Sequence, residues 1–235
     1  MAKKDQLREL RTGTVINVTS KKQETQVIQA LHLVVEYLSE KFGKRIRLSH
    51  ESQWYLKDIV SELRHTYPDT EMHYFFESSC MRPDGGILCM QGQESDPMSY
   101  PILIAEVKNQ GTNVLRLAEG KPKQAKGNAI ERLGKNLIGF RTALMSESIF
   151  PFVCFGYGCD FAPNSSILDR VVTMAMFGQL NKTYLHNTEG GKFNRGSFYF
   201  RQEPWTVAEM SEVMKDIAER SILYYFSKYT EEHFA

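Results

Sequence analysis

Pro83-Asp84-Gly85-Gly86, followed by Tyr100-Pro101-Ile102-Leu103-Ile104-Ala105-Glu106-Val107-Lys108, is the stretch around which the chain is organised. The second part reads as a strand: apolar, rich in isoleucine and closed by Gln110-Gly111. Strand side chains alternate between faces. Ile102, Ile104, Glu106 and Lys108 are therefore expected on one face, and Leu103, Ala105 and Val107 on the other. One face begins apolar and ends on a carboxylate and an amine two residues apart. Charges at the end of a buried strand need a partner, a metal or a substrate. A second carboxylate, Asp84, sits on the Pro-Asp-Gly-Gly turn just upstream.

Phosphodiester hydrolysis assisted by a cation needs oxygen ligands that leave room for a phosphate oxygen and a water. Asp84 and Glu106 supply two carboxylates for magnesium, and the Val107 carbonyl lies within reach if the strand keeps its direction. Lys108 would then stand beside the attacking water and the scissile phosphate, where it orients the water or stabilises transition-state charge. The plainer alternative makes Glu106 and Lys108 an ordinary ion pair at a strand end, with Asp84 serving its turn. An Asp followed by Glu-x-Lys on a strand resembles the PD-(D/E)XK nucleases. That resemblance implies an α/β fold: a central mixed β-sheet flanked by helices.

Length and composition are compatible with this. The 235 residues, 42% hydrophobic and 24% charged, suffice for one large domain or two small ones. No linker or repeat divides them, so a single domain over 1–235 is expected, with 1–22 a loosely ordered N-terminal arm. No apolar run is long enough to span a membrane, and Met1-Ala-Lys-Lys lacks a signal-peptide pattern. Cys80, Cys89, Cys154 and Cys159 show no Cys-x-x-Cys spacing, and three of them lie in apolar, strand-like sequence. Buried thiols in a reducing, cytoplasmic setting follow. Net charge is only +1, but Lys108 to Arg141 holds eight basic and two acidic residues. A local basic patch on a near-neutral chain suits a polyanionic partner, or is a solvated basic loop.

Along the chain, Gln23 to Phe42 has the spacing of an amphipathic helix ended by Gly43. Ser49 to Tyr67 reads as a second helix. Met72 to Phe76 and Ile87 to Met90 read as strands of a hairpin. Asn128 to Met145 is a helix with the stripe Ile130, Leu133, Leu137, Phe140 and Leu144. Phe150 to Tyr157 and Ser197 to Phe200 are strands, and Ile167 to Phe177 is a helix or a strand. Trp205 to Tyr229 closes the chain as an amphipathic helix with Val207, Met210, Val213, Ile217, Ile222 and Leu223 on its apolar side. Strands alternating with helices make a layered fold.

Gly127-Asn128-Ala129-Ile130-Glu131-Arg132 is the second constellation. Asn128 and Glu131 have the spacing of an N-cap and its capping-box partner. A helix N-terminus flanked by Lys126, Asn128 and Arg132 also suits DNA: its N–H groups favour a phosphate, and Asn can bond adenine N6 and N7. Both readings stand together.

These two constellations jointly resemble the EcoRI-type restriction endonucleases. The likeness rests on Pro83-Asp84-Gly85-Gly86, on Ala105-Glu106-Val107-Lys108-Asn109-Gln110-Gly111, on Gly127 to Arg132 with Lys135-Asn136 in step, and on Ser146 to Val153; Leu168-Asp169-Arg170 and Trp205 fit more loosely. It is strong from about residue 78 to 153 and hardly visible before 70. It implies a magnesium-dependent homodimer that cuts double-stranded DNA within a palindrome, paired with a cognate DNA methyltransferase. Asp84, Glu106 and Lys108 would be catalytic, with Asp84, Glu106 and Val107 holding the metal. Gln110, Lys126, Gly127, Asn128, Ala129, Glu131, Arg132 and Arg170 would meet DNA or tie the recognition elements together. Gly127-Asn128-Ala129 resembles the segment that meets inner adenines, which implies an AATT core cut on its 5′ side to leave 5′ overhangs. Gln124-Ala125-Lys126 departs from the family pattern, so the outer pair stays open among GAATTC, CAATTG and bare AATT. Two other readings keep the scaffold: a DNA-binding protein that does not cut, and a repair or recombination nuclease that reads DNA structure.

Overall fold

The structure, a computed structural model, describes residues 15–69, 71–93, 96, 98–109, 116, 118–121, 128–158, 161, 167–177, 193–195 and 197–234. In chain order its elements are α1 (Val15–Phe42), β1 (Leu48–Glu51), β2 (Trp54–Tyr55), α2 (Leu56–Thr66), β3 (Cys80–Met81), β4 (Ile87–Gln91), β5 (Ser99–Asn109), α3 (Asn128–Ala143), β6 (Phe152–Tyr157), α4 (Ile167–Phe177), β7 (Phe193–Arg195), β8 (Phe198–Arg201) and α5 (Val207–Tyr229). Six strands form one sheet in the order β1-β4-β5-β6-β8-β7. β5 pairs antiparallel with β4 and parallel with β6. The isoleucine-rich strand is thus central in a mixed sheet, as expected of a strand that is apolar on both faces.

Helices cover both faces. The α1 stripe Val27, Leu31, Val34 and Leu38 is fully buried with Met210, Met214, Ala218 and Ile222 of α5, over Leu88, Leu103, Ala105 and Val107 of the sheet. On the opposite face the α3 stripe Ile130, Leu133, Leu137 and Phe140 packs with Ile167 and Val171 of α4 over Ile87, Ile104, Phe152 and Phe198. Each such side chain contributes about 2 kcal/mol on burial, so these stripes, rather than helix propensity, fix where the helices lie. Gly43, at φ +55°, ends α1.

Several expectations are corrected. Residues 15–22 are helical, so α1 starts before Gln23; residues 1–14 lie outside the described residues. The stretch from Ser49 is not helical until Leu56. Leu48 to Glu51 instead pairs with β4, whose edge donors and acceptors need a partner, and Trp54-Tyr55 pairs with Cys80-Met81. Met72 to Phe76 is not a strand: Phe75 and Phe76 are 89% and 71% exposed, and aromatic composition alone does not place a segment in a sheet. A bulge at Leu88/Cys89 breaks the alternation of β5, so Ile102 joins Leu103 in the α1–α5 core instead of sharing the Ile104 face. On α5, Leu223 is half exposed rather than part of the apolar side. Ile167 to Phe177 resolves as a helix. Cys89 and Cys154 are buried, Cys80 is partly so, all three are free thiols, and Cys159 lies outside the described residues. No helix among the described residues is long and apolar enough to cross a membrane.

Candidate active site

The turn after Pro83 is pressed onto β5. Gly85 N–H donates to the Ala105 carbonyl at 2.9 Å, and Ala105 N–H donates to the Gly86 carbonyl at 3.2 Å. Both glycines are required by space. A Cβ on Gly85 would lie 2.8 Å from the Ala105 Cβ and 3.2 Å from the Val27 Cγ2; one on Gly86, at φ +75°, would come within 2.9 Å of the Glu51 carbonyl. The turn therefore continues the β4–β5 ladder by one step and leaves Asp84 beside the strand end. There the Asp84 Oδ2 accepts the Val107 N–H at 3.2 Å, replacing the strand partner that β4 no longer provides.

Asp84, Glu106 and Lys108 converge. Lys108 Nζ donates to Asp84 Oδ2 at 2.9 Å, to the Val107 carbonyl at 3.0 Å and to Glu106 Oε1. Glu106 is 1% exposed, and its Oε2 has no hydrogen-bond partner among the described residues. Burial pushes the Glu106 carboxyl up to about 7; the Lys108 charge opposes the rise and Asp84 adds to it. Burial alone would lower the Lys108 ammonium, but Glu106 and Asp84 outweigh it and hold it above the ordinary lysine value. The ammonium therefore stays charged, and it is the carboxylate that is strained.

This cluster borders a cleft of about 420 Å³ at the C-terminal end of β5. Arg132, Lys135 and Asn136 of α3 line one side, and Gln23 and Glu24 of α1 line another. Its charged side chains are three cationic (Lys108, Arg132, Lys135) and three anionic (Glu24, Asp84, Glu106). An incoming phosphate would meet no net attraction unless a cation offsets the carboxylates. A second cavity, about 390 Å³, carries Glu51, Asp58, Glu62 and Glu147 and no basic residue, which suits no phosphate.

The metal question rests on the donor set. Asp84, Glu106 and the Val107 carbonyl offer hard oxygens, and the orphaned Oε2 is an acceptor buried without use. Among the described residues no three His, Cys, Asp or Glu side chains cluster as a full metal cage. Two carboxylates, a carbonyl and open positions fit a cation that keeps several waters, as Mg²⁺ does.

Of the second constellation, Arg132 reaches the cleft while Glu131, the next residue round α3, pairs with Arg170 Nη1 of α4 at 3.1 Å. The described part of the helix runs from Asn128, and Glu131 lies in its first turn. Gln110, Lys126 and Gly127 lie outside the described residues, as do the side chains of Asn128 and Ala129. The Ser146 to Val153 motif is structural: Glu147 accepts from Tyr224 and Tyr229 hydroxyls at 2.8 and 3.2 Å and from Lys228 at 2.7 Å, anchoring the turn before β6 to α5. Gln23 and Glu24 were not legible as cleft residues, although one signal exists. Gln23 stands four residues before Val27, a polar residue on an otherwise apolar stripe.

A family model described as restriction endonuclease EcoRI matches residues 11–167, reaching well before residue 70. The type II restriction enzyme RsrI of Cereibacter sphaeroides is 31% identical over 200 residues, covering 71% of this chain and 72% of that enzyme. The type II restriction enzyme EcoRI of Escherichia coli is 28% identical over 201 residues, covering 70% and 72%.

Proposed function

The chain belongs to the EcoRI family of restriction endonucleases, and from that premise we propose that it is a magnesium-dependent homodimer that cuts double-stranded DNA within a palindrome centred on AATT. The observation that carries the chemistry is the convergence of Asp84, Glu106 and Lys108 around the Val107 carbonyl, with one Glu106 oxygen buried and unpartnered. Asp84, Glu106 and Val107 would hold magnesium, which when bound supplies a Lewis acid for phosphate and water. Lys108 faces the developing charge on the phosphate and stabilises it. Arg132 and Lys135 on the cleft wall hold the DNA backbone. Water adds to phosphorus as the bond to the leaving sugar oxygen breaks, and each subunit cuts one strand.

Base reading falls to the first turn of α3. Asn128 matches adenine's N7 acceptor and N6 donor, with Gly127 and Ala129 beside it; Gln110 and Lys126 flank the same region in sequence. Glu131 and Arg170, an exposed pair at 3.1 Å, would meet DNA or tie the recognition elements together. Cuts on the 5′ side of AATT leave four-base 5′ overhangs. A single domain, free thiols suited to a reducing cytoplasm and a partner methyltransferase complete the reading. The test is to incubate the protein with a fully sequenced plasmid and Mg²⁺ and to sequence the ends. Discrete fragments ending in 5′-AATT are expected. A smear, intact plasmid or ends without that core would overturn the proposal.

A further inference from the structure

Two polar side chains in the cleft are buried and incompletely satisfied, and only one of them, Glu106, belongs to the catalytic set. The other is Gln23 of α1. It is 4% exposed, borders the same cavity as Asp84, Glu106 and Lys108, and its amide Nε2 has no partner among the described residues. It occupies the α1 stripe one helical turn before Val27, which packs toward Gly85 under the Asp84 turn. A fold optimised for stability would place an apolar residue there, because an unpaired buried donor is unfavourable. An N–H donor without a protein acceptor, in a cleft with an oxygen-lined cation site, suits an anionic oxygen that arrives with the substrate.

We propose that Gln23 is a further catalytic residue for cleavage, its amide donating to a non-bridging oxygen of the scissile phosphate. This rests on the reading of the cleft as the cutting site. The contact adds one neutral hydrogen bond among many phosphate contacts, so it changes duplex affinity little. It fixes the phosphate against Lys108, so it acts on the rate.

The test is Gln23→Met, which keeps the side-chain length and removes the donor. Single-turnover cleavage at saturating duplex should fall about 10²-fold. Duplex affinity measured in calcium should stay within threefold, and the melting temperature should be unchanged or higher. A rate within twofold of the unsubstituted protein overturns the proposal. So does a loss of rate that accompanies a lower melting temperature or lost duplex binding, which marks a packing role. Should Gln23→Met fail to fold, Gln23→Glu replaces the donor with an oxygen that repels phosphate. It should cut more slowly even at saturating duplex, and cutting at the original rate overturns the proposal. Lys108→Ala run alongside separates the two levels of inference. If it cuts, the cleft reading fails; if it is inactive while Gln23→Met cuts normally, only the role of Gln23 fails.

Discussion

Glu106 is 1% exposed, and its carboxyl is pushed up to about 7 by burial against the pull of Lys108. Neutralising such a group relieves desolvation, whereas removing its cation leaves the charge uncompensated. Glu106→Gln should therefore leave the melting temperature unchanged or raise it. Lys108→Ala should destabilise the protein by about 1–3 kcal/mol, read by urea unfolding; the reverse order would contradict this charge assignment. The shared face of Glu106 and Lys108 is legible in the sequence from a two-residue period, whereas Asp84 joins them only through the resemblance to the PD-(D/E)XK arrangement. The place of Gln23 is not legible, because its significance depends on where the N-terminal half of α1 lies relative to the end of β5, and no local pattern encodes that distance.

The Asp84 turn and the junction from β8 to α5 are the elements whose local chemistry decides most. Gly85→Ala would drive a methyl against Ala105 and Val27. An overpacked site of this kind costs about 1–3 kcal/mol, and the relief is to lift the turn from β5. Cleavage should therefore fall together with thermal stability, and a fully active, equally stable Gly85→Ala protein would refute the docking argument. At the second element, Arg201 donates to both Glu209 oxygens at 2.6 Å, and Glu209 also closes a capping box with Thr206. The Arg201 guanidinium holds the Glu209 carboxyl down to about 2. An acid whose folded value lies below its unfolded value of about 4.3 contributes stability that is present above that pH and lost as pH falls toward 2. Glu209→Gln should flatten the stability profile between those limits, and an unchanged acid slope would count against the pairing. Helical stripes such as Ile130 to Leu144 are readable from sequence since burial follows their period. The strands at 48–55 are not, because their partners, β4 and β3, lie far along the chain and a helical period takes over at Trp54. The bulge at Leu88/Cys89 is invisible for the same reason: it exists only in the pairing of two strands.

For the whole molecule the constraint is symmetry. On the proposed reading one set of Asp84, Glu106 and Lys108 would cut one strand, and a palindromic site would mirror a two-fold axis in the protein. Sedimentation with a short cognate duplex should give two chains per duplex, and an active one-to-one complex would contradict the dimer. The sequence motifs between 78 and 153 carry the family likeness, while the match from residue 11 shows that α1 belongs to the same framework. That helix was readable as an amphipathic element but not as a wall of the cleft. The central claim is that Asp84, Glu106 and Lys108 cut DNA rather than brace a strand end. The direct measurement is single-turnover cleavage of a bound AATT-containing duplex in Mg²⁺ by the unsubstituted protein and by Glu106→Gln at matched occupancy. The account predicts rapid cutting of both strands by the first and a rate lower by at least about 10²-fold for the second, with the fold intact; equal rates would contradict it.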